Sequence, residues 1–180
     1  MRPGTLLIGL CVITVGAVSG YLGLKSAGPE EVPDITVVTT RGERIALAGM
    51  RGNPLLVTFW ATTCQSCMKE MPQLIDLYHE LSPLGLKLIG IAMYYDPPNR
   101  VLAIQKSRSI PYTLALDIDA HAARAFGGVE LTPTTFLIAP DGQIVFRKTG
   151  SMDMNRLRND ILAMFRSSQT LPPVSTGGHS

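Results

Sequence analysis

Cys64 and Cys67 stand in a C-x-x-C spacing within Phe59-Trp60-Ala61-Thr62-Thr63-Cys64-Gln65-Ser66-Cys67. Two thiols so placed can open and close a mutual disulfide, exchanging two electrons with a partner disulfide. The pair sits where an apolar run gives way to a helical repeat. Free backbone N–H groups and the helix dipole stabilise negative charge at a helix N-terminus. Cys64 is therefore expected to have a lowered pKa and to attack as the thiolate. Cys67, about one turn on, is placed to resolve the mixed disulfide. Other chemistries fit less well. A zinc knuckle needs four ligands, and neither a second C-x-x-C nor a nearby His pair exists. Covalent haem attachment needs His after the second cysteine, where Met68 stands. A purely structural disulfide closing so short a loop gains little loop-closure entropy.

The elements that must position this pair follow from periodicity. Leu55–Trp60 is a near-continuous apolar run, suited to a strand buried on both faces. From about Ser66, apolar residues recur at helical spacing through Cys67, Met71, Leu74, Tyr78 and Leu81, with Pro72 inside as a kink. Strands are predicted at Ile35–Thr40 and Arg44–Leu47, again at Leu86–Met93 and Tyr112–Leu116. Asp96 reads as an N-cap, with Pro97 opening a helix that runs to about Arg108. Asp119 reads as the cap of an Ala-rich helix ending at Gly127. Thr134–Ala139 and Gln143–Lys148 form a hairpin around Asp141-Gly142, and an amphipathic helix closes the domain over Met154–Phe165. Strands alternating with helices in the middle predict a mixed sheet, parallel at its centre, with helices on both faces.

The ends differ from this body. Thr5–Leu24 lacks any charge and as a helix spans about 30 Å, a bilayer core. It reads as an anchor over residues 1–24. A signal peptide cut near Ala17-Val18-Ser19 is the competing reading, but the apolar run continues past that point. Cys11, within the run, reads as an apolar packing residue. Residues 25–34 read as a linker, 35–166 as the domain, and 167–180 as a disordered tail. Lys and Arg number 16 against 14 Asp and Glu, a balance that speaks against a nucleic-acid partner. With 46% hydrophobic and 17% charged residues, disorder along the whole chain is excluded.

The segment Phe59 to Pro72 resembles the active-site segment of the thioredoxin superfamily, most closely the TlpA/ResA-type extracytoplasmic thiol–disulfide oxidoreductases. Leu131-Thr132-Pro133-Thr134-Thr135-Phe136 resembles the cis-proline loop of the same family, and the Asp141-Gly142 hairpin follows in order. The resemblance spans about residues 35–165. It implies an α/β thioredoxin-like fold: a central mixed sheet flanked by helices, an N-terminal β-hairpin and a central β-α insertion, which follow the transmembrane helix read from the apolar run. It implies that Pro133 is cis beside the cysteines, that Thr132 offers its backbone to an extended substrate, and that Trp60 shields the site. Thr58 stands where thioredoxin has a buried aspartate, and a threonine cannot serve as base at neutral pH. Glu70, three residues past Cys67, is the candidate to tune the thiols and exchange protons with Cys67. The plainer reading of Glu70 is an early-helix acid complementing the dipole. Thr63 replaces the family's usual Trp before the first cysteine.

The expected function is a membrane-anchored thiol–disulfide oxidoreductase in the reducing direction, with no cofactor beyond the dithiol. Its expected partners are protein disulfides, as in cytochrome c maturation, a membrane thiol-electron donor, and the lipid bilayer through residues 5–24. The expected location is the bacterial inner membrane, N-terminus cytoplasmic and catalytic domain periplasmic. The alternative is a copper metallochaperone on the same fold, since thiolates suit Cu(I); no His lies near Leu131–Thr135 to complete such a site. A peroxidase of the peroxiredoxin type wants Thr and Pro where Ala61 and Val57 stand.

Overall fold

The structure is a computed structural model, and it describes residues 30–170. The described residues from Glu31 onward belong to one compact unit. The anchor expected over residues 5–24 lies outside the described residues. Among those described, no helix is long and apolar enough to cross a membrane.

Strands β1 (Thr36–Thr39) and β2 (Arg44–Ala46) form an antiparallel hairpin whose turn places Gly42 at φ +82°. Next come β3 (Leu55–Trp60), helix α1 (Gln65–Leu81), β4 (Lys87–Ala92), α2 (Pro98–Ser107), β5 (Thr113–Leu116) and α3 (His121–Ala125). The chain continues through β6 (Thr134–Ile138), β7 (Ile144–Thr149) and α4 (Met154–Thr170). The seven strands make one sheet in the order β2-β1-β5-β4-β3-β6-β7. The pairs β3/β4 and β4/β5 are parallel and the others antiparallel, the mixed sheet that the alternation of elements predicts.

All six residues of β3 are buried, as a central strand covered on both faces requires. The pleat sends alternate residues to opposite cores. Leu55, Val57 and Phe59 join Phe136, Ile89, Ile91 and the α3 residues Ala122 and Ala123. Leu56 and Trp60 join Met71, Leu74 and Leu77 of α1, Val101 of α2, and Leu157 and Ile161 of α4. The second core carries the dithiol, because Cys67 is one of its buried members.

Several sequence expectations need correction. Asp96 does not cap α2: Pro97 is the N-cap residue, no side chain caps the helix, and Asp96 is committed elsewhere. Asp117 holds the start of α3 with both carboxylate oxygens, accepting from Ala122 N at 2.8 Å and Ala123 N at 2.9 Å. Asp119 accepts only from His121 N, at 3.2 Å. The linker boundary at residue 34 is too late. Val32 is buried and its N–H donates to the Gly142 carbonyl at 2.8 Å, so the domain begins by Glu31. The tail boundary at 167 is too early, since α4 continues to Thr170 with no helix breaker before Pro172.

Candidate active site

Cys64 is the N-cap residue of α1, with φ −83° and ψ 104°, so the chain turns from loop into helix at the first sulfur. The two sulfurs are 2.05 Å apart, a disulfide. Cys64 Sγ also accepts from the Cys67 N–H at 3.1 Å, one of the donors a helix start leaves unpaired. The cysteines differ in access. Cys67 is only 4% exposed, whereas Cys64 is half-buried between exposed Thr63 and Gln65. A partner sulfur can therefore approach Cys64 and not Cys67, the asymmetry that attack and resolution require.

Cys64 opens onto a groove of about 760 Å³, walled by Thr63, Gln65, Ser66, Lys69, Glu70, Gln73, Thr132, Ser151 and Met152. Thr132 is thus beside the dithiol as expected, and the Thr132–Pro133 bond is cis. The Pro133 carbonyl accepts from Gly150 N at 2.8 Å, and Thr134 Oγ1 donates to the Leu131 carbonyl at 2.7 Å. These bonds tie the proline loop to the end of β7.

Glu70 is 3% exposed and lies beyond the first turn of α1, where no acidic residue stands. Burial raises its pKa above the ordinary carboxylate value; a hydrogen bond from the Met152 N–H to Oε1, 2.8 Å, opposes this in part. Glu70, Cys67, Thr58, Trp60, Tyr112 and Pro133 line one small cavity behind the disulfide. A carboxylate whose raised pKa brings it nearer that of a thiol, sharing a cavity with the buried cysteine, suits proton exchange with Cys67. Trp60 is 3% exposed and forms part of the inner wall of the site. Tyr112, in the same wall, has its hydroxyl pKa pushed above the ordinary phenol value by burial, and then by the Glu70 charge, with Arg108 opposing. Thr58 accepts from Thr135 Oγ1 at 2.9 Å, so a neutral hydroxyl pair occupies the position where the resemblance would have an aspartate.

Three contributors were missed by sequence reasoning. Met152, on the loop after β7, holds Glu70 from 82 residues away. Asp96 accepts from Thr62 N and Thr62 Oγ1, each at 2.6 Å, in the loop that leads to Cys64. Arg108 Nη1 donates to the Met68 carbonyl at 3.1 Å. That carbonyl lies four residues before Pro72, which has no N–H to offer it; the proline was legible, its compensating arginine was not. His79 and His121 are exposed. Tyr94 and Tyr95 are exposed and meet edge to face at 5.2 Å.

A helix-capping dithiol with one accessible sulfur, a cis-proline loop beside it and a sheet of this order define a thioredoxin-like protein of thiol–disulfide exchange. The chain belongs to the AhpC/TSA family, whose model matches residues 29–147. It is 27% identical over 172 residues to the thiol-disulfide oxidoreductase ResA of Bacillus subtilis, covering 94% of each chain. It is 30% identical over 129 residues to ResA of Halalkalibacterium halodurans, covering 72% of each. The fold matches the crystal structure of a thiol:disulfide interchange protein of the thioredoxin family from Chlorobium tepidum. There the TM-score is 0.70 at 24% identity, over 78% of this chain and 99% of that one. These matches bear out the family resemblance read from the sequence, and the protein is a thiol–disulfide oxidoreductase.

Proposed function

We propose that the protein is a reductant of protein disulfides, tethered to the bacterial inner membrane by residues 5–24 with its domain in the periplasm. Its electrons come from a membrane thiol donor, and its substrates include disulfides of cytochrome c maturation. The supporting observation is the contrast between half-buried Cys64, open to the groove, and buried Cys67, set with Glu70 around one cavity. In the reduced protein, Cys64 thiolate attacks one sulfur of the substrate disulfide. A mixed disulfide forms and the other substrate sulfur leaves as thiolate, to be protonated. Glu70 accepts the Cys67 proton, and Cys67 attacks Cys64 Sγ. The mixed disulfide breaks, the second substrate thiol is released, and the Cys64–Cys67 disulfide closes. Two electrons have passed to the substrate. Thr132 lines the approach, and its backbone pairs with an extended substrate segment.

The test uses the full-length chain in mild detergent, equilibrated with glutathione or dithiothreitol buffers. A reduction potential near the −270 mV typical of thioredoxin supports the reducing direction, and one near about −120 mV, typical of a disulfide donor, overturns it. Cys67→Ser is expected to accumulate mixed disulfides through Cys64, whereas Cys64→Ser does not.

A further inference from the structure

The strand–helix unit β4-α2 does more than widen the sheet. Asp96 lies just before α2 and Arg108 is its C-cap residue, and each reaches the dithiol segment from one side. Thr62 stands two residues before Cys64, and Met68 one residue after Cys67. Asp96, 6% exposed, takes the Thr62 N–H with one carboxylate oxygen and the Thr62 hydroxyl with the other, both at 2.6 Å. Charge-assisted bonds of this kind are about twice as strong as neutral ones. Arg108 supplies the donor that Pro72 withholds from Met68. The contacts span 34 and 40 residues, so both are tertiary contacts made from outside the active-site helix.

We propose that Asp96 and Arg108 are positioning residues of the dithiol, bracketing Cys64–Cys67 from either end of α2 and biasing its redox equilibrium in opposite directions. Reduction turns a neutral disulfide into a pair with a thiolate on Cys64. A cation nearby stabilises that reduced form, and an anion nearby opposes it. No ion pair neutralises Asp96 among the described residues. The inference rests on the redox activity of the pair and not on its direction, because only differences from the unmodified protein are read.

The experiment equilibrates Asp96→Asn, Arg108→Gln and Arg108→Lys, as full-length chains in detergent, with one glutathione buffer series. Asp96→Asn keeps the side chain's shape and removes the charge. It should move the equilibrium toward the dithiol by about threefold, roughly 14 mV at about 30 mV per tenfold. Arg108→Gln should move it toward the disulfide by about the same factor. Arg108→Lys keeps the charge and should lie closer to the unmodified protein than Arg108→Gln does. Iodoacetamide alkylation of Cys64 at neutral pH should quicken in Asp96→Asn and slow in Arg108→Gln, following the thiolate fraction. Shifts of the same sign overturn the proposal, as does the absence of a shift in either variant. It is also overturned if Arg108→Lys behaves like Arg108→Gln. A potential near the oxidant end in the unmodified protein would reverse the proposed direction and leave this comparison intact.

Discussion

Gly90 sits in β4 between Thr58 of β3 and Leu114 of β5, on the face that α1 covers. A methyl group added there would lie 2.7 Å from Leu114 Cδ2, 3.2 Å from Trp60 Nε1 and 3.3 Å from Tyr112 Cε2. Carbon atoms in good contact stand about 3.5–4.0 Å apart, so the first contact overlaps by about 1 Å. Leu114 is 1% exposed, Trp60 and Tyr112 each 3%, and none has solvent to retreat into. Overpacking of this kind costs about 1–3 kcal/mol. Exchanging glycine for alanine in a strand returns about 0.5–1 kcal/mol of backbone entropy. Gly90→Ala should therefore lose about 1–2 kcal/mol, which for a domain of this size lowers Tm by roughly 4–8 °C. The assay is thermal unfolding followed by circular dichroism, with emission from Trp60 as a second readout. Trp60 is the only tryptophan in the chain, so its emission reports on the wall behind Cys67 alone. Gly49→Ala is the control, because its added methyl meets nothing within 4 Å. If Gly90→Ala melts within a degree of the unmodified protein and leaves the Trp60 emission unchanged, the claim of a tightly filled wall is refuted.

Two further outcomes test the buried polar groups. Burial raises the pKa of Glu70, so the fold favours its protonated form. That contribution to stability is fully present below the ordinary glutamate value and is lost as pH rises through the raised one. Glu70→Gln, which keeps an acceptor for Met152 N–H, should gain in Tm on the unmodified protein as pH climbs from 4 to 8; a difference that stays flat or narrows refutes this reading. The Thr58–Thr135 pair is fully buried. Thr135→Val should cost about 1–2 kcal/mol in urea unfolding by stranding the Thr58 hydroxyl, and Thr58→Val/Thr135→Val should lie nearer the unmodified protein than the single change does.

What was legible in the sequence is what local rules govern. The apolar run Leu55–Trp60, the helical repeat from Cys67 to Leu81 and the Asp141-Gly142 turn each announce an element through neighbouring residues, and the observed β3, α1 and β6–β7 hairpin agree closely with them. The same rules failed where two local solutions compete. Asp117 and Asp119 both precede α3 at capping distance, and composition cannot say which one the backbone turns inward; Asp117 is 4% exposed and takes both N–H groups. Asp96 before Pro97 satisfies every local criterion for an N-cap. It was claimed instead by Thr62, a residue on another strand's loop that no pattern within α2 could announce.

The active site divides along the same line. The reacting sulfurs, their spacing and their place at a helix start are local facts, and they specify that exchange takes place. The groups around the sulfurs are brought in by tertiary contact: Met152 onto Glu70, Asp96 onto Thr62, Arg108 onto Met68. Such groups decide how the thiolate and the buried carboxyl are weighted, because a nearby charge or hydrogen-bond donor changes their equilibria while leaving the covalent chemistry alone. Exchanging Gln65-Ser66 for the dipeptide of another C-x-x-C protein would therefore leave Asp96, Arg108 and Glu70 in place, and the chimera should retain part of this protein's potential. The dipeptide lies on the exposed side of the disulfide, whereas Glu70 and Asp96 act from buried positions where water screens them least.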